Sequence, residues 1–233
     1  GTPNIDIEEG WIEIEHKNRK DKFLFPRQGS SIYHTTKIMD TDLFWFGVRI
    51  WNLRVTDLMQ GPVYGIQTEE TNIDKGLQTI FNYDEVFGTI INRFITQAVA
   101  RYPLTVYGEG GQTRGYLNIR DTLQCVYKSF NMPAKPGELR IFNQIMETFS
   151  VNQLAKKISK VGNDLNHDVK IEHIDNPRKE SEHHYYNPVY QGLLDIGVKP
   201  NYLTDEVIKD IFQIVEKYKK NIRKDVIFRG IKW

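Results

Sequence analysis

The spacing of hydrophobic and polar residues changes along the chain, and each spacing predicts a different element. Between Trp11 and Phe25 the alternation has the two-residue period of a strand and is interrupted by a polar turn. This pattern predicts a β-hairpin that ends at Pro26. Residues 1–6 before the hairpin show no strand pattern and predict a loop.

A long helix is predicted to follow the hairpin and to end at about Trp51. Ser30 and Ser31 are both good N-cap residues, so the helix should begin at one of them. Its apolar residues lie on more than one face. That distribution predicts a helix buried on both sides and suits a contact helix in a dimer.

Strands and helices alternate through the rest of the chain, which predicts an α/β fold. A buried strand at 52–58 runs into a Gly- and Pro-containing loop at 59–65. In a parallel sheet this loop would lie at the carboxyl edge, where doubly wound folds bind ligands. Further strands are predicted at 104–108, 114–119, 139–143 and 169–174, and further helices at 86–101, 120–130 with Asp121 as a cap, 150–161, near Tyr190 and at 204–223.

Charge, hydropathy, cysteine content and histidine spacing give no indication of a nucleic-acid-binding, membrane-spanning or metal-binding protein. The 31 basic and 30 acidic residues leave a net charge of +1, which gives no indication of binding to nucleic acid or to an acidic membrane. No apolar run is long enough to span a bilayer, and no signal peptide opens the chain. The single Cys125 fits a reducing compartment such as the cytoplasm. The six histidines lack the spacing of a metal site, so no metal is predicted.

Candidate chemistry begins with Tyr33 and Lys37, which are four residues apart and share one face of the predicted helix. A Lys ammonium one turn from a Tyr phenol stabilises the phenolate, and a nearby oxidised nicotinamide would stabilise it further. Such a Tyr could take a proton from a sugar hydroxyl while the carbon gives hydride to the cofactor. A Tyr-x-x-x-Lys pair also arises by chance, so the pair alone leaves both interpretations open.

Several other residues have a functional and a structural interpretation. The glycine-rich turn at 109–113 suits a phosphate cradle, but such turns more often simply reverse the chain. Arg114 and Arg178 each follow a turn and suit phosphate oxygens, although a solvated surface Arg is the commoner role. Tyr185 and Tyr186 suit a ligand or the core equally. The chain has no Gly-x-Gly-x-x-Gly motif of its own.

Six stretches carry a resemblance to a known family. They are Gly1–Gly10, Tyr33–Lys37, Thr56–Gly65, Pro103–Gly108, Gly111–Tyr116 and His184–Asn187. Together they resemble the extended short-chain dehydrogenase/reductase family, and most closely the branch that joins sulfite to UDP-glucose. The resemblance covers nearly all 233 residues. One departure is Met59, which stands where the family's loop has Asn before Gln-Gly.

The resemblance implies an NAD-dependent enzyme of which this chain is the C-terminal part. An upstream half would carry the first Rossmann strands, the glycine-rich NAD loop and a catalytic Thr. In the implied reaction NAD oxidises carbon 4 of UDP-glucose, water leaves from carbon 6, sulfite adds, and hydride returns to carbon 4. Whether the product enters a sulfolipid or a protein-linked glycan stays open, and a plastid stroma is the alternative location.

The resemblance also implies residue roles. Tyr33 would be the base, Lys37 would hold the nicotinamide ribose, and His34 would position sulfite or move a proton. Gln60 and Val63 would line the nicotinamide and the sugar. The uridine and the diphosphate would be held by Arg93, Thr105, Tyr107, Gln112, Arg114, Arg178 and Tyr185, with Arg114 and Arg178 on the phosphates.

Two domains are implied. Residues 1–66 and 114–131 would belong to a Rossmann-type NAD-binding domain, with the hairpin as an insertion. Residues 67–113 and 132–233 would form a smaller mixed α/β substrate-binding domain. The implied partners are UDP-glucose, sulfite, a second copy in a homodimer and a sulfite-donor protein. The alternatives are another NAD-dependent sugar-nucleotide epimerase or dehydratase, and a non-catalytic sugar-nucleotide-binding subunit.

Overall fold

The computed structural model describes residues 4–29, 31–84, 87–176 and 186–227. The strands in these ranges are β1 (Asn4–Glu8), β2 (Trp11–His16), β3 (Arg19–Leu24), β4 (Arg54–Gln60), β5 (Val63–Tyr64), β6 (Leu104–Tyr107), β7 (Thr113–Asn118), β8 (Glu138–Gln144), β9 (Glu147–Ser150) and β10 (Ile171–Ile174). The helices are α1 (Ile32–Trp51), α2 (Glu69–Ile73), α3 (Ile90–Val99), α4 (Ile119–Asn131), α5 (Val151–Asp164), α6 (Gln191–Asp195), α7 (Asp205–Lys217) and α8 (Lys224–Ile227). The mixture of helices with parallel strand pairs confirms the predicted α/β class.

The chain divides into two compact units whose segments alternate along the sequence. Unit 1 comprises Gly1–Gln60, Leu123–Gln144 and Asn187–Lys199, and unit 2 comprises Gly61–Thr122, Ile145–Tyr186 and Pro200–Trp233. β8 lies in unit 1, whereas the predicted domain limits place it in the substrate-binding domain. The assignment of NAD and substrate binding to separate domains stays a prediction.

Unit 1 contains a three-stranded antiparallel sheet, in the order β1–β2–β3, and the parallel pair β4–β8. The predicted hairpin is present as β2 and β3. The prediction of a loop at 1–6 was wrong for residues 4–6, because β1 pairs along β2 and places Ile5 opposite Ile14 and Ile7 opposite Ile12; residues 1–3 lie outside the described residues. This cross-strand pairing outweighs the weak local pattern of residues 4–6.

Helix α1 starts where the sequence predicts and buries a single face. Ser31 is its N-cap, and the Ser31 hydroxyl accepts a hydrogen bond from the His34 backbone N–H. The buried residues of the helix are Thr41, Gly47 and Val48. An apolar stripe at helical spacing, made of Ile32, Met39, Leu43, Phe46 and Ile50, is 46–82% exposed. The prediction of burial on both sides was therefore wrong for this chain, because no described element covers the stripe.

Unit 2 has a continuous core formed by α3, α5 and α7 against β6. Every residue of α3 from Ile91 to Val99 is buried, including four polar ones. β6 pairs in parallel with β10, while β7 lies between β5 and β9. Ser150 caps α5 as predicted, and Gln153 completes a capping box. None of the helices within the described ranges is long and apolar enough to cross a bilayer.

Candidate active site

The N-terminal turns of α1 carry the predicted catalytic pair on an open face. The Lys37 Nζ lies 5.8 Å from the centre of the Tyr33 ring, so the two side chains share one face of the helix. Both are accessible, since Tyr33 is 65% exposed and the Lys37 side chain 59%. Lys37 also forms an ion pair with Asp40, with 3.2 Å between Nζ and Oδ2. A phenol in this setting can exchange a proton with a ligand bound on the same face.

His34 lies beside this pair. Its ring centre is 5.7 Å from that of Tyr33, and the two rings are tilted by 59°. The His34 backbone N–H is 3.2 Å from the Ser31 hydroxyl, so the helix cap fixes the backbone that carries all three residues. The role of His34 toward sulfite stays a prediction.

Gln60 and Val63 were predicted to lie in a loop at 59–65, but the structure places each of them in a strand. Gln60 is the last residue of β4 and is exposed at the carboxyl end of the parallel pair β4–β8. Ligands of open parallel sheets bind beyond this end of the strands. Val63 opens β5 in unit 2, where it pairs with Leu117. Met59 packs against a core cluster of unit 1, and its sulfur accepts a hydrogen bond from Arg27 at 3.6 Å.

Four of the predicted substrate residues converge around β6 in unit 2. The Arg93 guanidinium donates to the Tyr107 hydroxyl at 3.1 Å and to the Thr105 carbonyl at 3.3 Å. The guanidinium carbon lies 4.6 Å from the centre of the Tyr107 ring. Gln112 donates from Nε2 to the Tyr107 carbonyl at 3.4 Å. The structure therefore brings Arg93, Thr105, Tyr107 and Gln112 into one cluster.

Gln97 belongs to the same cluster and was missed. Its Nε2 donates to the Thr105 hydroxyl at 2.8 Å, and its Oε1 accepts from the Thr105 backbone N–H at 3.1 Å. The Thr105 hydroxyl is thus held inside the protein. Gln97 follows Arg93 by one helical turn within an apolar helix. A buried polar residue at such a position needs a partner, and that requirement is the signal that would have identified it.

The remaining predicted ligand residues are distributed differently. Arg114 lies on β7, is half-exposed, and donates to the Thr113 carbonyl at 3.0 Å. Arg178 and Tyr185 lie outside the described residues. Tyr186 is described, and its hydroxyl accepts a hydrogen bond from the Gly115 N–H at 3.0 Å. The contacts of Arg114, Arg178 and Tyr185 with a nucleotide stay predictions.

The glycine-rich turn has a structural explanation within the protein. Gly110 has φ +74°, and a Cβ at this position would lie 2.5 Å from the Asn152 side-chain oxygen and 2.6 Å from a Val106 methyl. The Asn152 side chain also donates to the Glu109 carbonyl at 2.7 Å. A glycine is required here for the turn itself, so the turn alone gives no support to a phosphate cradle.

A buried polar network in unit 2 was not predicted. The hydroxyl of the fully buried Tyr64 donates to Glu147 at 3.0 Å and lies 3.1 Å from the Asn201 carbonyl. Asn201 donates to Asp121 from its backbone at 3.0 Å and from its side chain at 2.6 Å. Burial raises the pKa of Glu147 and of Asp121, against the hydrogen bonds that lower both. The network fastens β5, α4 and the segment before α7 to one another.

Asp121 was predicted to cap α4, and that prediction was wrong. The helix begins at Ile119, so Asp121 lies in its first turn. The carboxylate is fully buried and is committed to Asn201, 80 residues away in sequence. The carboxylate also accepts a hydrogen bond from the Asn118 backbone N–H at the start of the helix, so it serves a local donor and a distant one.

The donor groups of α1 fit a nicotinamide cofactor. Tyr33 offers a hydroxyl and Lys37 an ammonium, and both open to one side of the helix. Ribose hydroxyls can accept hydrogen bonds from an ammonium and can exchange them with a phenol. The residues present therefore suit the predicted group in their chemistry.

Two curated relatives match the chain over its full length, although no family model matches it. The chain is 47% identical over 233 residues to "UDP-sulfoquinovose synthase, chloroplastic" of Spinacia oleracea and spans 48% of that protein. It is 41% identical over 236 residues to "UDP-sulfoquinovose synthase" of Sulfolobus acidocaldarius and spans 60% of it. The predicted resemblance is therefore confirmed, and the chain spans about half the length of the curated relatives it matches.

A solved structure supports the fold. UDP-glucuronic acid 4-epimerase from Bacillus cereus, in complex with UDP-glucuronic acid and NAD, superposes with a TM-score of 0.62. The match covers 84% of this chain and 55% of the other at 15% identity. The chain therefore shares the fold of part of this epimerase, a mixed α/β fold of the Rossmann type.

Proposed function

We propose that the full-length protein converts UDP-glucose and sulfite to UDP-sulfoquinovose with loss of water, using a bound and recycled NAD. The relatives at 47% and 41% identity support the substrates, since both are named for this product. One structural observation carries the chemistry: the exposed Tyr33 and Lys37 share one face of α1, with 5.8 Å between the ammonium and the phenol ring.

Tyr33 is the base in this proposal. Its hydroxyl takes the proton from the hydroxyl on carbon 4 of the glucose ring and returns it at the end of the cycle. NAD, when bound, would accept the hydride of carbon 4 and give it back. Lys37 holds the nicotinamide ribose, and its positive charge stabilises the Tyr33 phenolate. His34, next to Tyr33, positions sulfite or moves a proton.

The cluster around β6 binds the nucleotide in this proposal. Arg93 supplies a buried positive charge toward the UDP diphosphate, and Tyr107 lies against its guanidinium. The Oε1 of Gln112 is buried and has no hydrogen-bond partner among the described residues, which suits it to accept a bond from the ligand. Gln60 and Val63 contact the nicotinamide and the sugar, Thr105 supports the nucleotide site, and Arg114, Arg178 and Tyr185 complete it.

The partners and the location are proposed on narrower grounds. The exposed apolar stripe of α1 supports a homodimer, because a second copy would cover it. The spinach relative is named chloroplastic, which supports a plastid stroma, while the single cysteine fits a cytoplasm equally. Sulfite would arrive free or from a donor protein.

The test is product analysis with the full-length enzyme. Incubation with UDP-glucose and sulfite should yield a sulfonated sugar nucleotide, identified by mass spectrometry. Tyr33→Phe should lower kcat by several orders of magnitude because the proton acceptor is lost. Tyr127→Phe is the matched control, since this tyrosine is 68% exposed on α4, and it should retain full activity.

Two outcomes would contradict the proposal. Sulfite-independent conversion of UDP-glucose to an epimer would assign the protein to another sugar-nucleotide enzyme on the same fold. Unchanged biological activity of Tyr33→Phe would indicate a non-catalytic sugar-nucleotide-binding subunit.

A further inference from the structure

Thr41 is a buried hydroxyl on the helix that carries the proposed catalytic pair. It is 2% exposed, and its Oγ1 lies 2.5 Å from Oδ2 of Asp57 on β4. The Lys37 carbonyl, one turn earlier in the helix, is 3.4 Å from the same hydroxyl. A hydroxyl has one proton, and these distances indicate that Thr41 donates its hydrogen bond to the Asp57 carboxylate rather than to the Lys37 carbonyl. A short bond to a charged acceptor is among the stronger hydrogen bonds of a protein.

The position of Thr41 connects this bond to the catalytic pair. Tyr33, Lys37, Thr41 and Trp45 follow one another at four-residue spacing and form one row along the helix. The row runs from the exposed Tyr33 and Lys37 to the buried Thr41 and then to Trp45, whose ring contacts Trp11 in the core of unit 1. Thr41 is also the nearest to Tyr33 of the buried residues of α1.

Asp57 is held in place because it belongs to a paired strand. It lies within β4, where it pairs with Ile141 of β8, and it precedes Gln60 by three residues on the same strand. Threonines within helices ordinarily return their hydroxyl to the carbonyl four residues earlier, which bends the helix. Asp57 draws the hydroxyl away from the Lys37 carbonyl and fastens this turn of α1 to the strand instead.

We propose that Thr41 and Asp57 are positioning residues for the Tyr33–Lys37 pair, holding the Lys37 turn of α1 at a fixed place on β4. The inference rests on the proposed function, because it assigns the pair a catalytic role. The bond also sets α1 relative to the end of the strand that carries Gln60, so two segments predicted to contact the cofactor share one anchor.

The test compares Thr41→Val with Thr41→Ser in the full-length enzyme. Valine keeps the shape of threonine and removes the hydroxyl, whereas serine keeps the hydroxyl. We expect Thr41→Val to lower kcat about tenfold with little change in the KM for UDP-glucose, because a slightly misplaced catalytic group costs rate rather than substrate binding. Thr41→Ser should restore most of the rate. Amide hydrogen exchange of residues 32–41 should accelerate in the valine variant alone.

Val48→Ala is the control for a defect of packing alone. Val48 is 1% exposed on the buried side of the same helix and lies farther from the pair. This variant should lower the thermal stability without lowering kcat. A loss of kcat in Val48→Ala equal to that in Thr41→Val would show that the hydroxyl has no special role.

A double-mutant cycle with Lys37→Met separates positioning from stability. If Thr41 acts through the Lys37 turn, Thr41→Val should reduce the residual kcat less than twofold in the Lys37→Met background. A full tenfold loss in both backgrounds would overturn the inference. The proposed function is tested separately by the wild-type reaction, so an active wild type with a fully active Thr41→Val would refute the positioning role alone.

Discussion

The two units of this chain enclose their apolar side chains to different extents. In unit 2, Phe94, Ile158 and Phe212 are at most 1% exposed within one continuous cluster. In unit 1, Leu43 on α1 is 64% exposed and Phe130 on α4 is 81% exposed. Most of the exposed large apolar side chains of the described residues lie in unit 1. Surfaces of this kind are normally covered by another part of the protein or by a partner.

The strands of unit 1 lead to the same conclusion. Among the described strands β4 pairs with β8 alone, and a parallel pair ordinarily belongs to a larger sheet covered on both faces. This chain spans 48% of the spinach relative and 60% of the Sulfolobus relative, so each relative has a large part that this chain lacks. We propose that the rest of the full-length protein packs on the β4–β8 pair of unit 1 and that a second copy covers the apolar stripe of α1, whereas unit 2 already contains its own core.

The largest expected effect is a core truncation in unit 2. Phe94→Ala should lower the free energy of unfolding by about 3–5 kcal/mol, because the side chain is fully buried and its removal leaves a cavity. Phe87→Ala is the matched control in the same unit, since Phe87 is 75% exposed, and it should change stability by less than about 0.5 kcal/mol. Urea unfolding measures both. Equal losses would contradict the description of unit 2 as self-contained.

Leu43→Ala on α1 should give the next largest loss of stability, and it tests whether the apolar stripe of α1 is covered in the full-length protein. In the full-length protein Leu43→Ala should cost about 2 kcal/mol, the value of a buried leucine, although this chain leaves Leu43 64% exposed. Leu77→Ala in unit 2, where Leu77 is 54% exposed, should cost less than about 0.5 kcal/mol. A loss at Leu43 no larger than that at Leu77 would show that the α1 stripe stays open to solvent.

The smallest effect concerns the buried network of unit 2. Burial raises the pKa of Glu147 above its ordinary value of 4.5. The folded state therefore holds this proton more tightly than the unfolded state does, so the stabilisation is complete below pH 4.5 and is lost as the pH rises through the raised value. The stability of Glu147→Gln should consequently fall less steeply than that of the wild type above pH 4.5. Denaturant unfolding at a series of pH values measures the two slopes, and identical slopes would contradict the shift.

Local signals predicted the parts of the fold that local interactions decide. Ser31 and Ser150 identify the starts of α1 and α5 because the capping bond forms within three residues of each. The alternation around Trp11 identifies the hairpin because β2 and β3 are neighbours in the sequence and pair directly with each other. The loop prediction for the residues of β1 was wrong because their partners lie on another strand, and the bond of Asp121 to Asn201 was missed because Asn201 is 80 residues away.

In the candidate site, too, the sequence predicted what depends on local spacing and missed what depends on long-range packing. The spacing of Tyr33 and Lys37 fixes their common face, so the sequence was sufficient for that relation. Gln97 and the bond between Thr41 and Asp57 depend on which elements pack together, and no short-range pattern specifies that. The exposure of α1 was mispredicted because amphipathicity shows that a face is apolar without showing what covers it.

The interleaving of the two units also constrains how the chain can be synthesised and folded. The Arg140 side chain on β8 donates to Thr56 on β4, 84 residues earlier in the chain. During translation β4 must therefore remain unpaired with β8 while the whole first segment of unit 2 leaves the ribosome. Closing so long a loop carries an entropic cost and slows folding. An unpaired strand that waits this long is the segment that a chaperone would be expected to protect from aggregation.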